Sequence, residues 1–286
     1  MAICVGKDIL EISSDFIDEL ARTNASVFDS WAVTLEKIKK HVKTEIQKKV
    51  AQLLENDPQN PCFQEVTLFG PMDYGRLETA HTRTLAWLFD PKAPHGFRDK
   101  LVTALLADLP EYSGGKIEIK KVLSEKILNP GQKEKTFGPK NDKSGRIDLW
   151  IEGKEGSQKL LVVIEAKIDA SESFGQLKKY DVELKKWEDN NYVVRKVYLT
   201  TWGDIPETSK QPSTWHTMQF SRLANILWAA GRCEATAERP PGYEFLRLYI
   251  AGILRDILGL TLPMHGESNS PYEALQFLQL HSKEIA

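Results

Sequence analysis

Five consecutive apolar residues, 160–164, run directly into the charged triplet Glu165-Ala166-Lys167. A short apolar run of this kind is typical of a strand that is covered on both faces of a sheet. Because alternate side chains of a strand point to the same face, Glu165 and Lys167 are expected to project together. A buried charge is strongly unfavourable unless it is paired, solvated or bound to an ion. The end of this strand is therefore the first place to look for a functional site.

A second acidic residue lies in the preceding strand pattern, 146–151. Asp148 alternates there with Ile147 and Leu149, so it faces the opposite side from them. If the two strands are neighbours, Asp148 and Glu165 can share one cation. Carboxylate oxygens suit Mg²⁺ or Mn²⁺, and such an ion is commonly held by one or two carboxylates together with a substrate phosphate. Lys167 would then stabilise developing negative charge or help to deprotonate an attacking water, which predicts hydrolysis of a phosphodiester.

The surrounding patterns predict an α/β fold. Helices are expected at 76–89, 100–109 and 174–187, and strands at 116–128, 146–151, 160–164 and 192–200. The glycine-containing stretch 153–156 is expected to form the turn between the second and third strands. Beyond residue 202 the chain is expected to be mostly helical, at 221–230, 243–258 and 271–285.

A long amphipathic helix is predicted at 27–54, where large apolar residues recur at steps of three and four until Asp57-Pro58 and Asn60-Pro61 end the pattern. Its apolar stripe packs either on the protein's own body or on a partner or second copy of the chain. The expected regions are an N-terminal helical part at 1–70, a core at 71–205, and a C-terminal mostly helical part at 206–286 packed on that core.

Charge and composition exclude several classes of protein. The 38 basic and 40 acidic residues give a formal net charge of −2, so any nucleic-acid surface must be a local patch. A basic stretch at 116–146 is either such a patch or a solvated lysine-rich loop. The three cysteines show neither disulfide nor zinc spacing, and no run of 18 apolar residues occurs, so we expect a cytoplasmic protein with no membrane span. Phosphate-loop, dinucleotide-binding and nucleophile-elbow motifs are absent from the sequence, and no organic cofactor is implied.

Taken together, these residues resemble the PD-(D/E)XK, or restriction-endonuclease-like, nuclease superfamily. The signature is carried by Asp148 and by Glu165-Ala166-Lys167, and Gln176 with Tyr180 resembles the Gln-x-x-x-Tyr element that follows it in many members. Upstream, Glu78 and His81 resemble the Glu-x-x-His first-helix block of one bacterial branch. Ile147 departs from the pattern, because it stands where the nominal motif has proline.

The resemblance implies a restriction-endonuclease-like core, in the order helix, three strands, helix, strand, with a central mixed sheet flanked by helices. It implies that Asp148, Glu165, the backbone carbonyl of Ala166 and Glu78 ligate Mg²⁺ or Mn²⁺. Lys167 would act in catalysis, and Gln176 would orient the site or contact the nucleic-acid backbone. The implied activity is cleavage of DNA, rather than RNA, in defence or repair.

Two other functions stay open at this point. The chain could be a catalytically silent nuclease-like fold that binds nucleic acid or protein, or a plain α/β interaction protein with an incidental charged triplet. Glu125 either approaches the metal or lies on an exposed strand face. His81 and His95 either contact phosphate or are hydrogen-bonded structural histidines.

Overall fold

The computed structural model describes residues 44, 48, 51–110, 112–128, 145–173, 175–209, 212–233 and 238–260. The chain divides into two compact units, and the larger one, Gln64–Leu258, contains every candidate site residue. The smaller unit is made from both chain ends. The helix expected at 271–285, most of the helix expected at 27–54 and the basic loop at 129–144 lie outside the described residues. The expected division into regions at residues 70 and 205 stays a prediction.

A five-stranded mixed sheet forms the centre of the larger unit, in the spatial order β1-β2-β3-β4-β5. The strands are β1 (Ile117–Ile127), β2 (Arg146–Glu155), β3 (Gln158–Lys167), β4 (Tyr192–Thr200) and β5 (Trp215–Gln219). β2 pairs antiparallel with both β1 and β3, whereas β4 pairs parallel with both β3 and β5. β3 is the central strand, which explains why its apolar run is continuous rather than alternating.

Helices accompany this sheet in the expected order. They are α1 (Glu78–Phe89), α2 (Lys100–Ala107), α3 (Gln176–Glu188), α4 (Phe220–Gly231) and α5 (Tyr243–Gly252), and a π-helical turn (Ile253–Ile257) continues α5. α1 packs against β1, β2 and β3, while α3 connects β3 to β4 and packs on β4. These elements confirm the predicted α/β class with a central mixed sheet flanked by helices.

One hydrophobic cluster fixes α3 on the sheet beside the candidate site. Three buried residues of α3, Leu177, Tyr180 and Leu184, belong to this cluster and recur at steps of three and four. They pack with buried residues of the strands: Ile147, Trp150, Leu161, Val163, Tyr198 and Trp215. Full burial of a large apolar side chain stabilises a fold by about 1.5–3 kcal/mol. The first turn of α3 is thereby held next to the end of β3.

The turn between β2 and β3 lies later in the chain than the predicted range, 153–156. β2 continues through Gly153 to Glu155, and the turn to β3 consists of Gly156 and Ser157. Gly156 has φ +59°, which a glycine adopts without steric cost. Gly153 instead belongs to the strand, because a Cβ atom there would stand 2.4 Å from the carbonyl oxygen of Glu118 on β1. The glycine marks a close strand contact rather than a turn.

The sequence predicts mostly helical structure beyond residue 202, but it does not predict the strand β5, which also forms there. This five-residue strand pairs in parallel with β4, and Trp215 and Met218 are its buried residues. Its formation depends on a partner strand that ends 15 residues earlier in the chain, so its short local pattern gave no clear signal. The helices expected at 221–230 and 243–258 are confirmed.

The described part of the smaller unit is helical at 51–56 and has a 3₁₀ turn at Pro61–Phe63. Its helix therefore ends just before Asp57-Pro58, as the sequence predicts. Across all described residues, no helix combines the length and the apolar character that a membrane crossing requires.

A buried ion pair links the end of β2 to β4. The side chains of Glu155 and Arg195 are each only 3% exposed, and Glu155 Oε1 also accepts hydrogen bonds from Ser113 N at 2.8 Å and Ser113 Oγ at 2.6 Å. Although burial alone raises the pKa of Glu155, the hydrogen bonds from Ser113 and Arg195 hold that pKa below its ordinary value. The carboxylate is therefore charged in the folded protein at neutral pH.

Glu155→Gln is expected to lower the free energy of unfolding by about 3 kcal/mol, because it removes the negative charge that Glu155 places against the buried Arg195 guanidinium. Urea unfolding at pH 7 measures the loss. The matched control is Glu118→Gln on β1, an exposed acid whose replacement is expected to cost less than about 0.5 kcal/mol. Equal stability of the two variants would contradict a structural role for the pair.

Candidate metal and catalytic site

Glu165 lies near the end of β3, at the point where the central strand is still fully covered. Its side chain is 1% exposed, and residues 160–166 are all buried. Leu161, Val163 and Glu165 alternate along the strand, and the first two belong to the cluster that packs under α3. The hydrophobic packing that holds α3 on the sheet therefore also buries this carboxylate.

The two oxygens of Glu165 have very different surroundings. Oε1 contacts Lys167 Nζ at 2.7 Å and accepts a hydrogen bond from Gln176 Nε2 at 2.6 Å. Oε2 is buried and has no hydrogen-bond partner among the described residues. Leaving a buried acceptor unsatisfied costs about 1–3 kcal/mol. One oxygen is thus fixed by the protein, and the other is available to a ligand.

Asp148 stands directly beside Glu165. β2 and β3 are paired up to Leu149 and Ile164, so the next position brings Asp148 across from Glu165. Asp148 Oδ2 accepts a hydrogen bond from Ala166 N at 2.9 Å, which ties the acidic residue of β2 to the end of β3. The sequence prediction that these strands are neighbours and that their acids converge is borne out by this geometry.

The crowding of negative charge shifts the titration of both acids. Burial, reinforced by the charge of Asp148, raises the pKa of Glu165 to about 8 even though Lys167 opposes the shift. Burial also raises the pKa of Asp148, against the opposing effects of the Ala166 N–H and Lys167. Two adjacent carboxyl groups thus resist being ionised together, and positive charge placed between such groups favours their ionised forms.

Lys167 remains a cation in this setting. Burial alone lowers the pKa of Lys167, but the neighbouring acids Glu165, Asp148 and Glu78 raise it above its ordinary value overall. Of the two roles expected from the sequence, these surroundings favour stabilisation of negative charge over removal of a proton.

Gln176 and Tyr180 connect α3 to the acids. Gln176 is the first residue of α3, and its Nε2 donates to Glu165 and also to the Tyr180 hydroxyl at 3.0 Å. Its Oε1 accepts from Ser173 N at 3.2 Å, and the Tyr180 hydroxyl donates to the carbonyl of Arg146. Both residues therefore hold Glu165 in place, and their four-residue spacing places them on one helical face.

Glu78 approaches the site from α1. It is the first residue of that helix, and its Oε1 accepts a hydrogen bond from Ile168 N at 2.9 Å, just beyond the end of β3. Its charge raises the pKa values of Asp148, Glu165 and Lys167. It is thus near the two acids, but its observed contact is to the backbone. The roles of Glu78 and of the Ala166 carbonyl as metal ligands stay predictions.

No cluster of three histidine, cysteine, aspartate or glutamate side chains that could hold a metal ion occurs within the described ranges. Magnesium sites in phosphate-processing proteins require only one or two carboxylates. Asp148 together with the unpartnered Oε2 of Glu165 meets that requirement.

A clamp that sequence reasoning missed fixes the chain next to this site. Arg76 Nε donates to Asp169 Oδ2 at 2.7 Å, and its Nη1 donates to the carbonyls of Asp256 and Ile257 at 2.8 and 2.9 Å. Asp169 lies two residues after Lys167, so the clamp joins the start of α1, the end of β3 and the π-helical turn. Asp169 is 93 residues from Arg76 in the sequence, and Asp256 and Ile257 are 180 and 181 residues from it. No local sequence pattern connects residues that far apart.

Three residues left open by the sequence have other partners. Glu125 forms ion pairs with Arg83 and Arg146. His81 is buried among aromatic rings, with Nε2 2.9 Å from the carbonyl oxygen of Gly75, and burial lowers its pKa. His95 accepts a hydrogen bond from Phe97 N at 3.0 Å, and its pKa is also lowered by burial. The described hydrogen bonds of both histidines are to backbone groups.

Comparison with known proteins adds one finding. Residues 68–250 match the model of a family in the PD-(D/E)XK nuclease superfamily. The match covers more than half of the chain and includes α1, all five strands and the acids described above. No curated protein and no solved structure gave a significant match.

The raised pKa of Glu165 predicts how the metal-free protein responds to pH. The folded state retains a proton on Glu165 up to about pH 8, whereas the unfolded chain releases it near the ordinary value of 4.5. The contribution to stability is therefore complete below pH 4.5 and is lost as pH rises to about 8, with a slope of at most about 1.4 kcal/mol per pH unit.

Chemical unfolding in EDTA between pH 5 and 8 measures this slope, and Glu165→Gln supplies the reference because it cannot titrate. Wild type is expected to lose stability relative to Glu165→Gln as pH rises. Parallel stability curves for the two proteins would contradict the proton held at Glu165.

Proposed function

Since the chain belongs to the PD-(D/E)XK nuclease superfamily, we propose that it is a Mg²⁺- or Mn²⁺-dependent nuclease that hydrolyses phosphodiester bonds of DNA. The membership confirms the superfamily resemblance that the sequence predicts, while the bacterial branch stays a prediction. The superfamily indicates nuclease activity in general. The metal, the choice of DNA and the residue roles below belong to the proposal.

The observation that carries the proposal is the divided environment of Glu165. Lys167 and Gln176 hold one oxygen, and the other oxygen is buried beside Asp148 without a described partner. A purely structural ion pair between Glu165 and Lys167 would gain nothing from a second acid on the neighbouring strand, because like charges repel. A catalytically silent fold also has no reason to retain this complete set of groups.

In the proposed site, Asp148 and Glu165 hold the cation, and the Ala166 carbonyl and Glu78 complete its surroundings. A bound Mg²⁺ would supply Lewis-acid stabilisation of the negatively charged phosphate. The pKa values of the two acids support this assignment, since a divalent ion favours their ionised forms. Among the described residues, Lys167 is the cation that forms an ion pair with Glu165.

The remaining groups act on the phosphate through position and charge. A water molecule attacks phosphorus, its oxygen becomes part of the product phosphate, and the broken P–O bond leaves a sugar hydroxyl group. The Lys167 ammonium stabilises the negative charge that grows on the phosphate oxygens during this step. Gln176 keeps Glu165 oriented, and the Tyr180 hydroxyl keeps Gln176 oriented.

The biological setting that we propose is defence against foreign DNA or repair of DNA, in the cytoplasm. The preference for DNA over RNA comes from the superfamily resemblance. A free thiol at Cys233 agrees with a reducing compartment.

Purified protein is expected to cleave DNA in Mg²⁺ or Mn²⁺ and to be inactive in EDTA. Supercoiled, linear and single-stranded DNA, and RNA, are each incubated with wild type, Asp148→Asn and Lys167→Met. Both variants are expected to lose at least about 100-fold in rate, because each removes a charge that acts on the phosphate. Circular dichroism checks that the variants remain folded.

Lys159→Met is the matched control, because Lys159 is an exposed lysine at the opposite end of the same strand. Its activity is expected to equal that of wild type. Full activity of Asp148→Asn would remove the proposed site. Folded wild-type protein that binds DNA but cleaves no substrate would favour the silent, binding fold.

Glu78 is tested separately, because one variant can remove its charge alone and a second can also remove its hydrogen bond with Ile168 N. Glu78→Gln keeps a hydrogen-bond acceptor for Ile168 N but removes the charge, so Mn²⁺ affinity is expected to fall by about tenfold with little change in stability. Glu78→Ala also loses the acceptor and is expected to be less stable by about 1 kcal/mol. Calorimetric titration with Mn²⁺ and thermal melting measure the two effects. Unchanged Mn²⁺ affinity in Glu78→Gln would restrict Glu78 to holding the end of β3.

A further inference from the structure

Two arginines meet at one carboxylate beside the candidate site. Glu125 Oε2 accepts from Arg83 Nη2 at 2.5 Å, and Glu125 Oε1 lies 3.3 Å from Arg146 Nη1. The Glu125 side chain is 19% exposed, whereas those of Arg83 and Arg146 are 65% and 60% exposed. The carboxylate is thus the inner part of the cluster, and the two guanidinium groups form its outer part.

This cluster lies next to Asp148. β1 and β2 pair at Ser124–Leu149 and at Lys126–Ile147, so Glu125 stands across from Asp148. Arg146 precedes Asp148 by two residues on β2 and therefore projects from the same face. Adjacent strands are about 4.8 Å apart, so Glu125, Asp148 and Glu165 follow one another across β1, β2 and β3.

The backbone of Glu125 has an unusual conformation for a residue within a strand. Its φ is +52°, in the left-handed region that glutamate rarely adopts. Such conformations persist where the surrounding structure imposes them, and they concentrate at binding and catalytic sites. Ion pairs with exposed arginines contribute little to stability and do not account for a strained backbone. A function for the arrangement accounts for it better.

The two guanidinium groups are suited to an oxyanion. Each guanidinium carries five N–H donors in a planar fork that matches phosphate oxygens, and Glu125 contacts only one nitrogen of each in the pairs given above. Two arginines and one glutamate leave a net charge of +1 for this cluster. It therefore supplies positive charge directly beside a pair of acids that would otherwise repel a polyanion.

We propose that Arg83 and Arg146 bind the phosphate next to the one that is cleaved, and that Glu125 positions both guanidinium groups. This role rests on the proposed nuclease function. The proposed ligand is the phosphodiester backbone of the nucleic-acid substrate. Contacts of this kind set the register of the strand and carry no base sequence information. The cluster would thereby fix which bond lies over Asp148 and Glu165.

The test measures binding of a fluorescent DNA oligonucleotide over a range of salt concentrations, in an Asp148→Asn background that prevents cleavage. Arg83→Met and Arg146→Met are each expected to weaken binding by about tenfold. Each is also expected to reduce the slope of log K against log[salt] by about 1 on duplex DNA, because one phosphate contact is lost.

Arg222→Met is the matched control, since Arg222 is also an exposed arginine in an ion pair, with Asp108, and it belongs to α4 rather than to β1 or β2. Its affinity and salt slope are expected to equal those of the background protein. Arg83→Lys and Arg146→Lys keep the positive charge, so they distinguish a lost phosphate contact from a folding defect. Both are expected to retain the dependence of affinity on salt, while affinity for DNA falls because the planar donor fork of the guanidinium is lost.

Unchanged affinity and salt slope in the double variant Arg83→Met/Arg146→Met would overturn the inference. A parallel cleavage assay without the Asp148→Asn change separates this result from failure of the proposed function. Cleavage by wild type with an equally active double variant removes the arginine site alone. A wild type that neither binds nor cleaves any nucleic acid removes the proposed function and the arginine site together.

Discussion

A carboxylate buried at the end of the central strand is the constraint on which the site depends. Glu165 is placed there by β3, which lies between β2 and β4 and is covered by α3. Its carboxyl group is out of reach of water, so Lys167 and Gln176 contact it, whereas the neighbouring Asp148 opposes its ionisation. The arrangement compensates one oxygen and leaves the other for a ligand. The Glu165 side chain therefore takes part in the packing of the core, in the charge interactions of the site and in the proposed catalysis.

Much of this centre could be predicted because its signals are local. The apolar run before Glu165 identified β3, and the alternation around Asp148 identified β2, although their ends were misplaced. The spacing of Gln176 and Tyr180 placed them on one helix face, and the structure shows that this face meets Glu165. In each case one short segment of sequence contained both the element and the candidate residue, so periodicity was sufficient to locate the element, while the roles of Gln176 and Tyr180 came from the superfamily resemblance.

What escaped prediction depends on contacts between distant parts of the chain. The contact of Glu78 with Ile168, the clamp from Arg76 to Asp169 and the pairing of β5 with β4 each require the folded sheet. Glu125 shows the same limit in another form, because its left-handed backbone contradicts its place in a strand pattern. Sequence reasoning recognised its acidic side chain but had no means of finding the two arginines that it holds.

The position of β5 limits how far the protein can be shortened. A fragment that ends near residue 205 would keep every acid of the site but would remove the strand that covers the outer side of β4. The exposed row of backbone groups on β4, beside its Val, Tyr and Leu side chains, would then be a template for intermolecular pairing and aggregation. The same cut would remove the carbonyls that Arg76 binds. The smallest useful recombinant piece therefore extends through the π-helical turn.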